Sequence, residues 1–443
     1  MLAVLRQRDP LSLGGRRSFA LLWLASVVSQ AGDWLLFIAL PYHVYGLTGS
    51  ALATGVTFML YNVSRLLFSP LAGVLADRWD RRRTLILSNV ASGLVLGPLL
   101  LFSSADRLWI VYAVVLLQAC LAFLQGPAES AFVPQVVRRE QLVAANALDA
   151  ITSGSARLVG PTLGGALVAL FGFPVAVVGD AASFFVAAAL VGLIRARPAP
   201  PRTTVRSESG LWSELRRDWV EGLDLMRRSP LVRSVLWVNG LVMAGYGIVT
   251  VLLVVFVREV LGGGALEFGW VATAQGAGVL GGAGLVGWLC APGRVPPGRL
   301  VALSLLVMGA AYALAFNAPA LPVVLASVAV AGLWMTGWSV GQRTLLQRAV
   351  PNRYLGRVVG ASTTASGLLI LVGMGLGSAL PDAVGVVPVL TGAAVLYGAA
   401  GLLAAATLPG WDAAPGAAAV PGDEPPRSVE ERSDQPAATG PAG

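Results

Sequence analysis

Residues 73–85 read GVLADRWDRRRTL and place four arginines between two long apolar segments. A soluble core does not hold such a run between two hydrophobic helices. A short cytoplasmic loop between two membrane spans does, because arginine resists translocation across the bilayer. The stretch therefore predicts a membrane protein in which this loop joins the second and third spans.

The composition of the whole chain agrees with this prediction. The 443 residues have a mean hydropathy of +0.73 and are only 12% charged, whereas soluble proteins are about 25% charged. The net charge of +8 comes from arginines in loops between apolar spans, which leaves no soluble domain to bind nucleic acid. Cys120 and Cys290 both lie in apolar segments and are too few for a disulfide framework or a metal site. We expect no cofactor, and the bilayer itself is a partner.

Twelve segments are long and apolar enough to be membrane spans, which need about 20 residues each. The first six lie near residues 19–42, 51–71, 84–102, 108–125, 142–171 and 173–194. The other six lie near residues 231–257, 268–290, 300–316, 321–340, 358–380 and 384–408. The fold class predicted is an all-α polytopic membrane protein.

The distribution of arginine predicts the orientation. If the N-terminus is cytoplasmic, 27 arginines lie on the cytoplasmic side and two, Arg107 and Arg258, lie outside. This bias predicts cytoplasmic termini in the cell membrane. The predicted units are a cytoplasmic tail (1–18), a six-helix bundle (19–194), a linker (195–230), a second bundle (231–408) and a disordered tail (409–443). Within the linker, Leu211, Leu215, Trp219 and Leu223 recur every four residues, a pattern typical of an amphipathic helix at the membrane surface.

The two bundles are related by an internal repeat. Residues 153–167 read SGSARLVGPTLGGAL and residues 366–380 read SGLLILVGMGLGSAL, with nine identities in fifteen aligned positions. We call the shift along the chain from Ser153 to Ser366 the repeat offset. Internal repeats of this kind are common in secondary transporters, so the repeat predicts two pseudo-symmetric halves of six helices.

The loop at residues 73–85 resembles the loop motif of the major facilitator superfamily, G-x-L-A-D-R-x-G-R-R-x-x-L. The positions in register are Gly73, Leu75, Ala76, Asp77, Arg78, Arg81, Arg82 and Leu85, while Asp80 replaces the usual glycine. The resemblance implies a gate: Asp77 accepts hydrogen bonds at the start of the eleventh span, near Gly356, and Arg81 pairs with Glu129. The alternative is a basic loop that only sets orientation.

A second motif lies in the fifth span, where Gly160, Pro161, Gly164 and Gly165 form GPTLGG. It resembles the G-P-x-x-G-G element of many drug and proton antiporters of the superfamily. Proline bends a helix and glycine admits a close neighbour, so the motif is interpreted as a hinge that favours export. The alternative is a packing stripe.

Charged residues within the predicted spans are the candidates for proton coupling. They are Asp33, Asp149, Arg157 and Asp180, and at the repeat offset they become Tyr246, Ser362, Ile370 and Ala393. A charge near the bilayer centre costs about 3 kcal/mol, so each needs a partner, a water-filled cavity or a function. Asp33 is the leading proton site; the alternative is an Asp33–Arg157 ion pair that only positions helices. The membrane arginine that drug antiporters usually carry in the fourth span is absent, because Gln118 lies near that position.

Five aromatic residues lie deep enough in the spans to line a central substrate cavity: Trp34, Tyr61, Tyr246, Trp334 and Trp338. The Gly32-Asp33-Trp34 start and the LTGS turn resemble the superfamily branch of macrolide and enterobactin exporters. This resemblance implies a monomer, not an enzyme, that exports amphipathic small molecules by proton antiport and alternating access. An importer, a carrier of lipids or lysophospholipids, and a membrane receptor that does not transport remain alternatives.

Overall fold

The computed structural model describes residues 12–78, 80–137, 141–194, 229–290, 295–318, 320–350 and 352–408. The side chains of residues 12–16, 65, 68–78, 352, 353 and 357 are outside this description. The predicted linker helix and the predicted disordered tail also lie outside the described residues. The described chain is helical and contains no strand.

Twelve long α-helices make up most of the described chain. They are α1 (Ser12–Thr48), α2 (Ala51–Arg78), α3 (Arg81–Leu96), α4 (Leu108–Val136), α5 (Leu142–Phe171), α6 (Phe173–Gly192), α7 (Pro230–Glu259), α8 (Ala265–Leu289), α9 (Pro297–Asn317), α10 (Leu321–Ala349), α11 (Asn352–Ala379) and α12 (Val386–Thr407). Two 3₁₀ segments, Gly97–Leu101 and Ala105–Arg107, precede α4, and a one-turn helix, Pro381–Val384, precedes α12.

Ten of the helices in the described residues are long and apolar enough to cross a membrane. The other two are α2 and the glycine-rich α8. The apolar segment of α2 among the described residues is Ala51–Ser64. The chain is therefore a multi-pass membrane protein, and the count of twelve spans stays a prediction.

Helix packing follows the same plan in both halves. In the N-half (α1–α6), α1 packs on α5 and α6, α4 packs on α2 and α3, and α3 packs on α6. In the C-half (α7–α12), α7 packs on α11 and α12, α10 packs on α8 and α9, and α9 packs on α12. Each pair in one half thus has its counterpart six helices later, as the internal repeat predicts.

The turns between helices carry the same repeat. The described backbone has positive φ only at Gly49 (60°), Gly172 (80°), Gly262 (62°) and Gly385 (87°). The repeat offset takes Gly49 to Gly262, and it takes Gly172 to Gly385. Because the left-handed region strongly favours glycine, these residues are required where the two halves turn in the same way.

The two halves meet along two helix pairs, α5 with α8 and α2 with α11, which the repeat also relates. Where α5 meets α8, the hydroxyls of Thr162 and Thr273 are 2.7 Å apart. Where α2 meets α11, the Asn62 amide lies 3.8 Å from the sulfur of Met374.

The ends of the helices define two faces. At the arginine-rich face, α2 ends and α3 begins. At the opposite face, α1 ends and α2 begins.

Asp80 begins α3 by accepting a hydrogen bond from the Arg83 backbone N–H at 2.8 Å, the usual role of an N-cap aspartate. Asp80, which stands in place of the family glycine, therefore caps the third helix.

The buried apolar cores of the two halves differ. One continuous cluster fills the C-half. In the N-half the core is divided into a cluster towards the opposite face and a smaller one towards the arginine-rich face. The gap between these clusters contains Asp33 in α1 and Gln118 and Gln125 in α4, whereas Asp180 in α6 lies among the residues of the cluster towards the opposite face.

Candidate functional site

A cavity of about 380 Å³ lies in the N-half, where the apolar core is interrupted. Helices α1, α2, α4 and α6 form its wall. Its apolar lining includes Phe37, Phe58, Tyr61 and Phe184, and its polar lining is Asp33, Thr57, Gln118, Gln125 and Asp180. The cavity thus combines aromatic surface with carboxylates, which suits an amphipathic ligand or a proton.

Asp33 on α1 and Asp180 on α6 both lie on this wall, and the two helices pack against each other. Asp33 is exposed to the cavity, while Asp180 is only 2% exposed. The Ser183 hydroxyl lies 3.4 Å from Asp180 Oδ1. Gly32 permits the close approach of α1 to α6, because a Cβ at this position would lie 2.5 Å from Asp180 Oδ1. The two aspartates interact electrostatically with each other, and no arginine among the described residues neutralises them.

Polar side chains continue from this cavity towards the arginine-rich face. Gln118 donates to the Ser92 carbonyl oxygen at 3.0 Å and Gln125 donates to the Ser92 hydroxyl at 3.3 Å. Gln125 also borders a smaller cavity of about 40 Å³, with Ser26, Ser29, Asn89 and Glu129. This is room enough for at least one water molecule.

Glu129 faces this smaller cavity. Ser26 lines the same cavity, and Glu129 interacts electrostatically with Asp33 and Asp149. No ion pair joins Glu129 to Arg81 in the described part of the chain. Arg82 donates instead to the backbone oxygens of Val191 and Gly192 at the end of α6.

The other gate residues predicted from the loop motif are at the end of α2. Gly73, Asp77 and Arg78 are in its last turns, and their side-chain surroundings lie outside the described residues. Gly356 is in the first turns of α11. The gate therefore stays a prediction.

Arg157 and Asp149 are both exposed on α5. The ion pair between Asp33 and Arg157 that the sequence left open does not form between these two described side chains. The Arg157 carbonyl oxygen instead lies 3.0 Å from where a Cβ of Gly276 on α8 would be. Arg157 thus belongs to the contact between the halves.

The GPTLGG motif packs α5 against two neighbours. Gly160 and Gly164 face α1, where a Cβ at Gly164 would lie 3.2 Å from the Trp34 carbonyl oxygen. Gly165 faces α8, where its Cβ would meet the Ala265 carbonyl oxygen. Pro161 is buried inside α5. The glycines therefore serve close packing, and the hinge stays a prediction.

The predicted aromatic residues occupy different places. Tyr61 lines the N-half cavity. Trp34 packs against Gly160 and makes an edge contact with Phe37 at 5.1 Å. Tyr246 is 38% exposed on α7, and Trp334 is half-buried on α10. Trp338 lines a second cavity. The five therefore do not form a single aromatic wall.

This second cavity, of about 460 Å³, lies in the C-half between α7, α10 and α11. Its polar lining is Asn239, Trp338, Ser339, Gln342, Arg343, Gln347, Ser362, Thr363 and Ser366. Of this set, only Trp338 was predicted from the sequence to line a substrate cavity. The available signal was the repeat, because the repeat offset takes Glu129 to Gln342 and Ser26 to Asn239.

At the opposite face, side chains connect the two halves directly. The Tyr45 hydroxyl donates to Glu259. The Arg258 guanidinium lies 5.1 Å from the centre of the Tyr42 ring and 3.4 Å from the Tyr42 carbonyl oxygen. These residues form a clasp between the end of α1 and the end of α7, which the sequence did not indicate. The opposite face is therefore closed.

Comparison with known proteins places these features in a family. The family model described as Major Facilitator Superfamily matches residues 22–374 and 235–438. The MFS-type transporter YfiS of Bacillus subtilis is 26% identical over 376 residues, 82% of this chain and 86% of that protein. Macrolide efflux protein A of Streptococcus pyogenes is 24% identical over 83% of this chain and 90% of its own length. The enterobactin exporter EntS of Escherichia coli is 26% identical over 83% of this chain and 85% of its own length.

Solved structures support the same fold. The nucleoside transporter NupG covers 88% of this chain and all of its own length, with a TM-score of 0.71 and 11% identity. A bacterial homologue of the iron transporter ferroportin in an inward-facing state covers 88% of this chain and 98% of its own, with a TM-score of 0.69 and 17% identity. At these identities the likeness establishes the architecture alone.

Proposed function

Because this chain belongs to the major facilitator superfamily, whose members move small molecules across membranes, we propose that it exports amphipathic small molecules in exchange for protons. The observation that carries the proposal is the pair Asp33 and Asp180 on the wall of the N-half cavity. The repeat places neutral Tyr246 and Ala393 at the corresponding positions of the C-half. The same helical plan thus folds without these acids, which favours a function for them.

The direction of transport is inferred from the relatives. Two of the similar proteins are named as exporters, one of macrolides and one of enterobactin. The aromatic and acidic lining of the N-half cavity supports an amphipathic substrate. The arginine distribution supports an orientation in which the arginine-rich face lies on the cytoplasmic side of the cell membrane.

The proposed cycle uses the acids as proton carriers. Two ionised carboxylates on one wall repel each other, and a proton held between Asp33 and Asp180 relieves that repulsion. A substrate that enters the cavity displaces this proton, which leaves through Gln125 and Glu129 to the cytoplasm. Opening of the clasp and closure of the arginine-rich face then release the substrate outside, where the pair takes up the next proton.

Transport into everted membrane vesicles with an acidic lumen tests this function, with labelled erythromycin and enterobactin as separate probes. We expect the unaltered protein to accumulate at least one probe and to release lumenal protons as it does so. Asp33→Asn removes the proton site but keeps its shape, so gradient-driven accumulation should fall at least about tenfold. Asp33→Glu keeps a titratable carboxyl group and should retain a dependence on the gradient.

Other outcomes would select another function. Probe accumulation that ignores the pH gradient would contradict proton coupling. If an acidic lumen instead drives release of the probe from loaded vesicles, probe and protons move together and the chain is an importer. If neither probe moves while a labelled lysophospholipid does, the chain is a lipid carrier.

A further inference from the structure

The C-half cavity has an excess of hydrogen-bond donors, and none of the described residues on its wall is a carboxylate. The Arg343 guanidinium and the side-chain amides of Gln342 and Gln347 line it, together with apolar surface from Met243 and Leu355. A guanidinium has five donors and no acceptor. The electrostatic character of this cavity is therefore opposite to that of the acidic N-half cavity.

These donors are available to a ligand. Arg343 is exposed, and no described residue accepts a hydrogen bond from it or pairs with it. The indole N–H of Trp338, in the same wall, is buried and has no acceptor within the described structure. The Asn239 amide already donates to the Ser366 hydroxyl at 2.6 Å, and both residues line this cavity.

The repeat relates two neutral residues on the wall of the C-half cavity to acids of the N-half. Glu129 on α4 corresponds to Gln342 on α10, since the two helices have the same length and their first residues are related by the repeat offset. Asp149 on α5 corresponds to Ser362 on α11. Two neutral residues on the wall of the C-half cavity thus stand where the N-half has acids, while the N-half cavity itself lies between a different set of helices, α1, α2, α4 and α6.

We propose that the C-half cavity is a subsite for an anionic or acceptor-rich group of the transported molecule, such as a carboxylate, sulfonate or phenolate, held by Arg343. The apolar part of the ligand packs on Met243 and Leu355. This inference rests on the proposed transport function, and it names the substrate class: amphipathic molecules with an acceptor-rich end.

The test compares two fluorescent probes that differ in one group. 1-Anilinonaphthalene-8-sulfonate has an anionic sulfonate, and N-phenyl-1-naphthylamine has the same rings without it. With the full chain in lipid nanodiscs, we expect saturable binding of the sulfonate. Arg343→Gln should raise its Kd about tenfold, since a charge-assisted hydrogen bond is lost. Gln342→Glu introduces the acid of the other half and should weaken binding of the sulfonate at least as much.

The uncharged probe and a matched variant serve as controls. Binding of N-phenyl-1-naphthylamine should not change in Arg343→Gln. Arg299→Gln removes one positive charge from an exposed position near the same end of the C-half, so it should leave the Kd of the sulfonate within about twofold of the unaltered value. Thermal unfolding of each variant in nanodiscs reports whether it is folded.

The proposal is overturned if the folded, unaltered protein does not bind the sulfonate saturably, or if Arg343→Gln and Arg299→Gln affect its Kd equally. Failure of the transport proposal gives a different pattern. In that case the sulfonate binds and depends on Arg343, while neither vesicle probe responds to a pH gradient.

Discussion

At the scale of single residues, three acids of the N-half lie close enough to one another to interact. Asp33, Asp180 and Glu129 interact electrostatically, and no ion pair with an arginine is found for them among the described side chains. An unpaired charge within a membrane span costs about 3 kcal/mol. Such a cost is typical of residues with a function rather than of residues that only hold helices together.

Glu129 is predicted to carry protons between Asp33 and the cytoplasm. Glu129→Gln keeps the hydrogen-bonding shape but removes the proton site, so gradient-driven accumulation should fall at least about tenfold. Exchange of labelled for unlabelled substrate needs no net proton movement and should continue. Both rates are measured in the same vesicles.

Two other outcomes of Glu129→Gln would contradict a proton-carrying role. Loss of both exchange and accumulation would mean that Glu129 supports the fold or the gate, and full retention of both would remove it from the proton route. Gln125→Leu, which breaks the polar connection without removing an acid, should slow accumulation in the same way.

Asp80 provides a second prediction at this scale, because it caps α3. Asp80→Ala should lower the free energy of unfolding by about 1 kcal/mol, while Asp80→Gly, the family residue, should cost only about a few tenths. Thermal unfolding of the two variants in detergent measures the difference. If both variants melt at the same temperature as the unaltered protein, the cap contributes no stability.

At the scale of helices, the contact between α5 and α8 depends on glycine. A Cβ at Gly269 would meet the Pro161 carbonyl oxygen and lie 3.3 Å from the Thr162 Cα. Both are backbone atoms and cannot rotate away. Glycine here is a requirement of packing, as in other close contacts between membrane helices.

Replacement by alanine should therefore change the stability of the protein differently at two glycines of α8. Gly269→Ala should destabilise the protein by about 1–3 kcal/mol through overpacking. Gly281→Ala lies on the same helix with no atom within 4 Å of the new Cβ, and it should be neutral or stabilise by up to about 1 kcal/mol. Melting temperatures that fall equally in both variants would contradict the packing argument.

At the scale of the whole molecule, the clasp closes the opposite face by joining the halves. Tyr45 with Glu259 and Tyr42 with Arg258 are contacts between residues that are far apart in the chain. Gly46 leaves room for the guanidinium, since a Cβ there would lie 2.5 Å from Arg258 Nη1. Alternating access requires these contacts to break when that face opens.

Weakening the clasp should shift the population towards a state that is open at the opposite face. Spin labels at Leu101 in the N-half and Val384 in the C-half are exposed at that face, and they report its opening once Cys120 and Cys290 are replaced by alanine. Tyr45→Phe and Arg258→Gln should each increase the population with long label-to-label distances.

The control for the clasp is Asp106→Asn, which removes an exposed charge from the same face within one half. It should leave the distance distribution unchanged. If the clasp variants and the control give the same distribution, the clasp does not hold the closed state.

The sequence predicted the superfamily, the helical plan and the repeat because each depends on local chemistry. Spans follow from apolar length, and the repeat follows from residues such as Gly172 and Gly385 that serve the same turn twice. The candidate site was predicted only in part. Asp33 and Asp180 do share a cavity, but Arg157 does not join them, because it lies in the contact with α8.

By itself, the sequence determined a membrane protein of two related halves, with membrane acids confined to the first. Only the tertiary structure decided which side chains meet: that Glu129 and Ser26 line one cavity, that Arg343 lines a cavity whose described residues include no acid, and that Tyr45 reaches Glu259. The physical reason is that apolar length and glycine spacing act within one helix, whereas a cavity or a clasp depends on the rotation and packing of several helices.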